Sequence, residues 1–244
     1  MLRKDGRSPE QTRPIRLIPR FTQNGDGNVL VEYGNTKVLC IVWVESGVPP
    51  FLRNSHPPKG WLTAEYAMLP GAASTRSKRE RPYPSGRSQE IQRLIGRSLR
   101  GIINLSKCPE VTFMIDCDVL QADGGTRTAS ITGAYAALKM AVDSLIRQRK
   151  LSTNPIFDAV AAISVGYRQG QMLVDLNYEE DSSADLDMNV VLTQSGKILE
   201  IQGTAEGEAF TKEQVTEIIE AAEVALAPCF ELQQAAAEGR LAEL

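Results

Sequence analysis

Val111-Thr-Phe-Met-Ile-Asp-Cys-Asp-Val119, followed by Gly124-Gly-Thr-Arg127 and an alanine-rich run from Thr128 to Arg147, is the stretch that decides the architecture. The first segment has the β-branched and apolar density of a strand. The glycine pair reads as a turn, and the run behind it is rich in the strongest helix former. A strand that passes into a helix through a glycine turn is one β-then-α unit.

Outward from it, Ile91, Leu94, Ile95, Leu99, Ile102 and Ile103 recur at helical spacing after Ser88, with Arg93, Arg97 and Arg100 on the opposite face. Val29–Tyr33 and Thr36–Val44 form a hairpin about the two-residue turn Gly34-Asn35. Pro49, Pro50, Pro57, Pro58, Pro70, Pro82 and Pro84 mark residues 45–87 as mostly loop. Downstream, strands are expected over 159–165, 172–176, 189–193 and 197–202. A helix then starts at the capping box Thr211…Gln214 and stops at Pro228. The expected class is α+β: β-sheets packed with helices in two pseudo-repeated β/α halves of a single domain over 1–244, with halves near 10–150 and 155–230 and a helical tail at 231–244.

With 244 residues, 42% of them hydrophobic, the chain can bury a full core. Its formal net charge of −3 decides nothing about nucleic acid, which depends on where cations cluster. Cys40, Cys108, Cys117 and Cys229 lack the spacing of a zinc site or a disulfide framework, which suits a reducing cytoplasm. No apolar run reaches the ~18 residues of a membrane span. Arg3, Lys4, Asp5 and Arg7 stand where a signal segment would be apolar, so a soluble, unexported protein without membrane attachment is expected. The single histidine, His56, lies in a Ser-His-Pro-Pro loop, which argues against histidine-based triads.

Three constellations bear on chemistry. Asp123-Gly-Gly-Thr-Arg127 sits where unpaired N–H groups and the positive end of a helix dipole favour an anion. On spacing alone it is equally a glycine turn with an incidental arginine, and the ending of a Walker loop is missing. Arg76, Lys78, Arg79, Arg81, Arg87, Arg93, Arg97 and Arg100, opposed only by Glu80 and Glu90, form either a track for a phosphodiester backbone or a solvated helix face. Asp175, Glu179, Glu180, Asp181, Asp185 and Asp187 crowd like charge before the next strand, which is either a solvated loop or a place for a hard cation held by oxygen ligands. Together the three favour phosphoryl transfer.

At these same residues the chain resembles the RNase PH family, from Arg3-Lys-Asp-Gly-Arg7 to about Phe210. The matching segments are Asn35–Cys40, Thr63-Ala-Glu-Tyr66, Ser85–Arg100, Ile115–Gly133, and Glu180-Asp181 through Asp187-Met-Asn-Val190. The segment from Gly71 to Pro84 departs from the pattern, which leaves RNA contacts there less defined than the anion site.

The resemblance implies a phosphorolytic 3′–5′ exoribonuclease (a tRNA nucleotidyltransferase) that trims tRNA precursor 3′ ends and releases nucleoside diphosphates. It implies inorganic phosphate, the co-substrate, at Arg87, Gly125, Thr126 and Arg127. Asp181 and Asp187 would be the catalytic, metal-associated carboxylates for Mg2+ or Mn2+. Arg76, Lys78, Arg79, Arg81, Arg93 and Arg97 would guide RNA, within a homohexamer built as a trimer of dimers. Rival readings are a non-catalytic RNA-binding ring subunit, a hydrolytic nuclease and a small-molecule kinase. The first would typically lack some of Arg87, Thr126, Arg127, Asp181 and Asp187, all present here.

Overall fold

A computed structural model describes residues 3–80, 83–206 and 209–243. Strands β1 (Ile15–Pro19), β2 (Gly27–Tyr33), β3 (Thr36–Ser46), β4 (Trp61–Met68) and β5 (Val111–Gln121), with β10 (Ala242–Glu243), build a six-stranded sheet in the order β10-β1-β2-β3-β5-β4. It is antiparallel except where β4 runs parallel to β5. Strands β6 (Val160–Arg168), β7 (Gln171–Val174), β8 (Leu186–Thr193) and β9 (Ile198–Ala205) form a second, antiparallel sheet in the order β7-β6-β8-β9. Helices α1 (Gly86–Arg100), α2 (Thr126–Arg147), the single turn α3 (Tyr178–Asp181) and α4 (Lys212–Ala237) complete an α+β fold. Among the described residues, no helix is long and apolar enough to cross a membrane.

Helix α2 is buried on nearly every side because it packs on both sheets. Small residues make the close approach possible. A Cβ on Gly133 would lie 2.6 Å from Val31 Cγ1, and one on Gly27 would strike the carbonyl oxygen of Ala137. The buried Thr132 hydroxyl is satisfied on both flanks: the Tyr33 hydroxyl donates to Thr132 Oγ1 at 3.0 Å, and the Ala162 N–H donates to the same oxygen at 3.1 Å.

Two expectations need correction and one needs refinement. The proline-rich segment is mostly loop as expected, but it also holds β4, an eight-residue strand with Leu62, Ala64 and Tyr66 turned inward. Prolines 58 and 70 flank it but none lies within it, so its ladder keeps every donor. Helix α4 begins at the Thr211–Gln214 capping box as read, yet runs through Pro228 to Ala237. Its buried stripe continues past the proline with Cys229, Leu232 and Ala236, so burial outweighs one lost hydrogen bond. The tail after Ala237 leaves the helix through Gly239 at φ +83° and pairs through Ala242 with Leu17 of β1, where a helix was expected.

The acidic segment is also sorted. Asp175, fully buried at φ +56°, accepts from Arg13 Nη2 at 2.7 Å, Arg13 Nε at 2.9 Å and the Arg13 backbone N–H at 2.8 Å. Glu180 accepts from Arg3 Nε at 2.7 Å, Glu179 pairs with Lys4, and Asp185 accepts the Gln169 N–H at 2.6 Å. Most of this charge is therefore structural, neutralised by an N-terminal clamp of arginines.

Candidate active site

The C-terminal end of β5 runs into Gly124 and Gly125, at φ +74° and +65°, and then straight into α2. Both glycines occupy the left-handed region, which a side chain disfavours. Gly124 has a second constraint: its Cβ would lie 2.6 Å from the Leu176 carbonyl oxygen and the Asn177 carbonyl carbon. Gly125 is the N-cap of α2 and supplies no side-chain cap, so the first N–H groups of that helix face the cleft without a side-chain acceptor.

These N–H groups open onto a cavity of about 980 Å3 whose walls include Arg87, Gly125, Thr126, Arg127, Asp181 and Asp187. All six residues expected to hold phosphate or to carry the chemistry thus meet in one place, although Arg87 and Asp187 come from different sheets' helices and strands. Arg87 reaches it from the first turn of α1, which Ser85 caps by accepting the Ser88 N–H at 3.2 Å. Arg127 is aimed by two partners, donating to Glu90 Oε1 at 2.9 Å and to Gln202 Oε1, while Gln202 Nε2 donates to the same Glu90 oxygen at 2.8 Å. Thr126 Oγ1 lies 2.8 Å from the Tyr66 hydroxyl, and with Tyr66 as donor the threonine proton is left for an anion. Burial pushes the Tyr66 phenol up, keeping that donor protonated. Arg13 braces the turn from below, donating to the Asp123 carbonyl oxygen at 2.5 Å.

Asp181 ends α3 and Asp187 is the second residue of β8. The α3 turn is fixed by a capping box in which Asn177 and Glu180 satisfy each other's backbone N–H groups. Burial pushes both carboxyls above the ordinary aspartate range. For Asp181 the positive charge of Arg127 and Arg87 works against that rise, whereas for Asp187 the neighbouring charge of Asp181 adds to it. Glu206, just past β9, is a third carboxylate on the same wall. Among the described residues, no group of three or more His, Cys, Asp or Glu side chains is placed to form a metal cage.

The expected RNA-guiding cations divide. Arg76, Lys78 and Arg79 are exposed on the segment that continues from the cleft wall at Gly71–Thr75. Arg81 lies outside the described residues. Arg93 is exposed on the outer face of α1, and Arg97 is engaged by Glu200, its Nε donating to Oε2 at 3.1 Å. None of these lines the cleft itself. The sequence reading missed Tyr66, Glu90, Gln202 and Arg13. Tyr66 lay within a matched segment without a role, and the other three act on residues distant in the chain.

Comparison with known proteins agrees with this architecture. The model described as "3′ exoribonuclease family, domain 1" matches residues 11–142, and the one described as "domain 2" matches residues 158–225. Among solved structures, the fold is similar to Rrp46 of rice (Oryza sativa) at 19% identity and TM-score 0.78, covering 96% of this chain and 100% of that one. It is also similar to a chain of the Archaeoglobus fulgidus exosome with RNA bound to the active site, at 23% identity and TM-score 0.77, covering 96% and 92%. An archaeal exosome core chain gives 21% identity and TM-score 0.74, covering 96% and 91%. With both family domains matched in order along the chain and their fold present in the structure, this protein belongs to the RNase PH family of 3′ exoribonucleases.

Proposed function

We propose that the protein is a phosphate-dependent 3′–5′ exoribonuclease that removes 3′ nucleotides from tRNA precursors and other RNA, releasing nucleoside diphosphates. The observation that carries this reading is the side-chain-uncapped N-terminus of α2, flanked by Arg87 and Arg127, facing Asp181 and Asp187 across one cleft. A hydrolase has no need of a preformed anion seat beside its carboxylates; a phosphorolytic enzyme does.

Inorganic phosphate binds the N–H groups at the start of α2, the Thr126 hydroxyl and the guanidinium groups of Arg87 and Arg127. One of its oxygens attacks the phosphorus of the last phosphodiester, the bond from phosphorus to the 3′ oxygen of the preceding nucleotide breaks, and a nucleoside diphosphate leaves. The departing 3′ oxygen takes a proton from one of the two cleft carboxyls, Asp181 or Asp187, whose hold on a proton burial strengthens. The same steps in reverse add nucleotides from diphosphates.

The donor set fits a divalent cation. Two half-buried carboxylates with elevated proton affinity adjoin an anion seat, and a magnesium site needs only one or two carboxylates when substrate phosphate completes it. Mg2+, or Mn2+ in its place, would be held by Asp181 and Asp187 and would offset charge on the phosphoryl oxygens. The incoming strand follows the exposed Arg76, Lys78, Arg79 and Arg93, with Arg81 in the same run; Arg97 joins that track by exchanging Glu200 for a phosphate. The assembly is a homohexamer, a trimer of dimers, in the cytoplasm. The similarity to a chain of an exosome with RNA bound to the active site supports RNA as the polymer.

The test uses magnesium, 3′-labelled precursor tRNA, and phosphate present or absent. Nucleoside diphosphate released only with phosphate, and lost in Arg127→Ala, is the expected result. Nucleoside monophosphate released without phosphate overturns it. RNA bound but never shortened points to a non-catalytic ring subunit.

A further inference from the structure

Tyr178 opens α3 and lines the cleft, yet its side chain has no role in the chemistry above. It is 63% exposed, a large ring left in water at the edge of a polar cavity, and among the described cleft-lining residues it is the one aromatic. Single exposed apolar side chains are common, but a ring face open at the wall of a cleft is available to stack on a planar ligand. Its mount is rigid. The Tyr178 backbone N–H donates to Asp123 Oδ1 at 3.3 Å, Asn177 and Glu180 box the turn on either side, and Glu180 is anchored in turn by Arg3. The opposite side of that turn carries the structural contacts, which leaves the ring free.

Position limits what the partner can be. Tyr178 and Asp181 stand at i and i+3 on one helical face, so the ring lies about one turn, roughly 5–6 Å between Cβ atoms, from a carboxylate at the reacting end. On the other flank, its backbone nitrogen would be 2.8 Å from a Cβ on Gly124, at the lip of the anion seat. With the scissile phosphodiester between the anion at α2 and the carboxylates, the planar group within reach of the ring is the base of the nucleotide whose phosphate is attacked. A ring with no directed polar contact to a base edge recognises any base by its face.

Resting on the phosphorolytic reading for the identity of the polymer, we propose that Tyr178 is a positioning residue that stacks on the 3′-terminal base of RNA, giving the site affinity for the chain end without choosing among the four bases. Stacking of this kind supports binding by about 5- to 150-fold.

The test is an RNA carrying the fluorescent base 2-aminopurine at its 3′ terminus, titrated with the protein at constant ionic strength without phosphate, so that no turnover is needed. Wild type and Tyr178→Phe are expected to quench the fluorophore; Tyr178→Leu binds at least fivefold more weakly and leaves bound RNA bright, with the same KM for phosphate in turnover. Equal quenching by wild type and Tyr178→Leu overturns the stacking assignment, whether or not RNA is degraded. So does a Tyr178→Leu variant whose KM rises for phosphate and not for RNA. If quenching is lost in Tyr178→Leu but wild type releases nucleotides without phosphate, stacking stands and phosphorolysis fails.

Discussion

Replacing the two adjacent glycines of the anion seat one at a time should separate folding from function. Both sit at positive φ, which costs an alanine about 1–2 kcal/mol. At Gly124 the added methyl also meets backbone atoms of Leu176 and Asn177 at 2.6 Å, which cannot rotate away, and overpacking of that kind adds about 1–3 kcal/mol. At Gly125 the nearest atoms are Arg13 Nη2 at 3.0 Å and Thr128 Oγ1 at 3.2 Å, side-chain contacts that need give by only a few tenths of an ångström. Gly124→Ala is therefore expected to cost about 2–5 kcal/mol and Gly125→Ala about 1–2 kcal/mol. For a chain of this length that is a fall in Tm of about 4–20 °C against about 2–8 °C. Thermal unfolding followed by circular dichroism, with and without millimolar phosphate, reads both properties. Wild type should gain Tm with phosphate, by about 2.7 kcal/mol of stability at a hundredfold excess over Kd. Gly125→Ala should lose most of that gain because a side chain at φ +65° strains the turn that aims the first N–H groups of α2. A Gly125→Ala protein less stable than Gly124→Ala, or one that keeps the full phosphate response, would refute the geometry.

Asp175→Asn leaves buried Arg13 without its counter-charge, while Arg7 keeps Asp5 and Glu180, and should cost about 3–5 kcal/mol, read as a lower urea midpoint at unchanged slope; pairing it with Arg13→Met should restore part of the loss. Asp187→Asn should abolish most turnover, by about 10²- to 10⁴-fold, yet raise stability slightly. Because burial lifts the Asp187 carboxyl in the folded state, its charge weighs against folding above that value and its contribution fades as pH falls below the unfolded pKa. The variant should thus exceed wild type by less than about 1 kcal/mol at pH 7–8, solvent screening included, and converge with it near pH 4; a gap that widens on acidification contradicts the assignment. Replacing Arg76, Lys78 and Arg79 together by alanine should flatten the salt dependence of RNA binding by about 2 in slope, whereas Arg97→Ala alone should change it less because Glu200 already holds that charge.

How much of this was legible depended on range. The hairpin at Gly34-Asn35, the amphipathic face of α1, the strand-to-helix passage at Gly124 and Gly125 and the cap at Thr211 are local patterns, and the structure bears each of them. Strand β4 was hidden because prolines on both sides dominated a window whose interior alternates cleanly. Pro228 misled because the helix around it is held by tertiary burial, which outweighs propensity. The family resemblance singled out Asp181 and Asp187, but the residue pattern by itself could not sort the acidic run. Which carboxylates are structural depends on arginines at positions 3, 7 and 13, and only the folded chain shows that Asp181 and Asp187 face the cleft while Asp175 and Glu180 face away into the clamp. The same holds for Glu90 and Gln202, whose hold on Arg127 spans three elements.

The arginine clamp also sets a schedule for synthesis. Arg3 meets Glu180 across a separation of 177 residues, and Arg13 meets Asp175 across 162. Closing loops of that length is entropically slow to initiate, and the ribosome makes the acidic partners long after the arginines have emerged. The N-terminal segment must therefore wait on the nascent chain, with the six-stranded sheet lacking β10 and the α3 turn not yet made. A ribosome-bound chain stalled before residue 175 has Arg87 and the Gly124–Arg127 turn but neither Asp181 nor Asp187, nor the acidic half of the clamp. Under the function proposed above, an incomplete product lacks the groups needed to shorten the RNA around it.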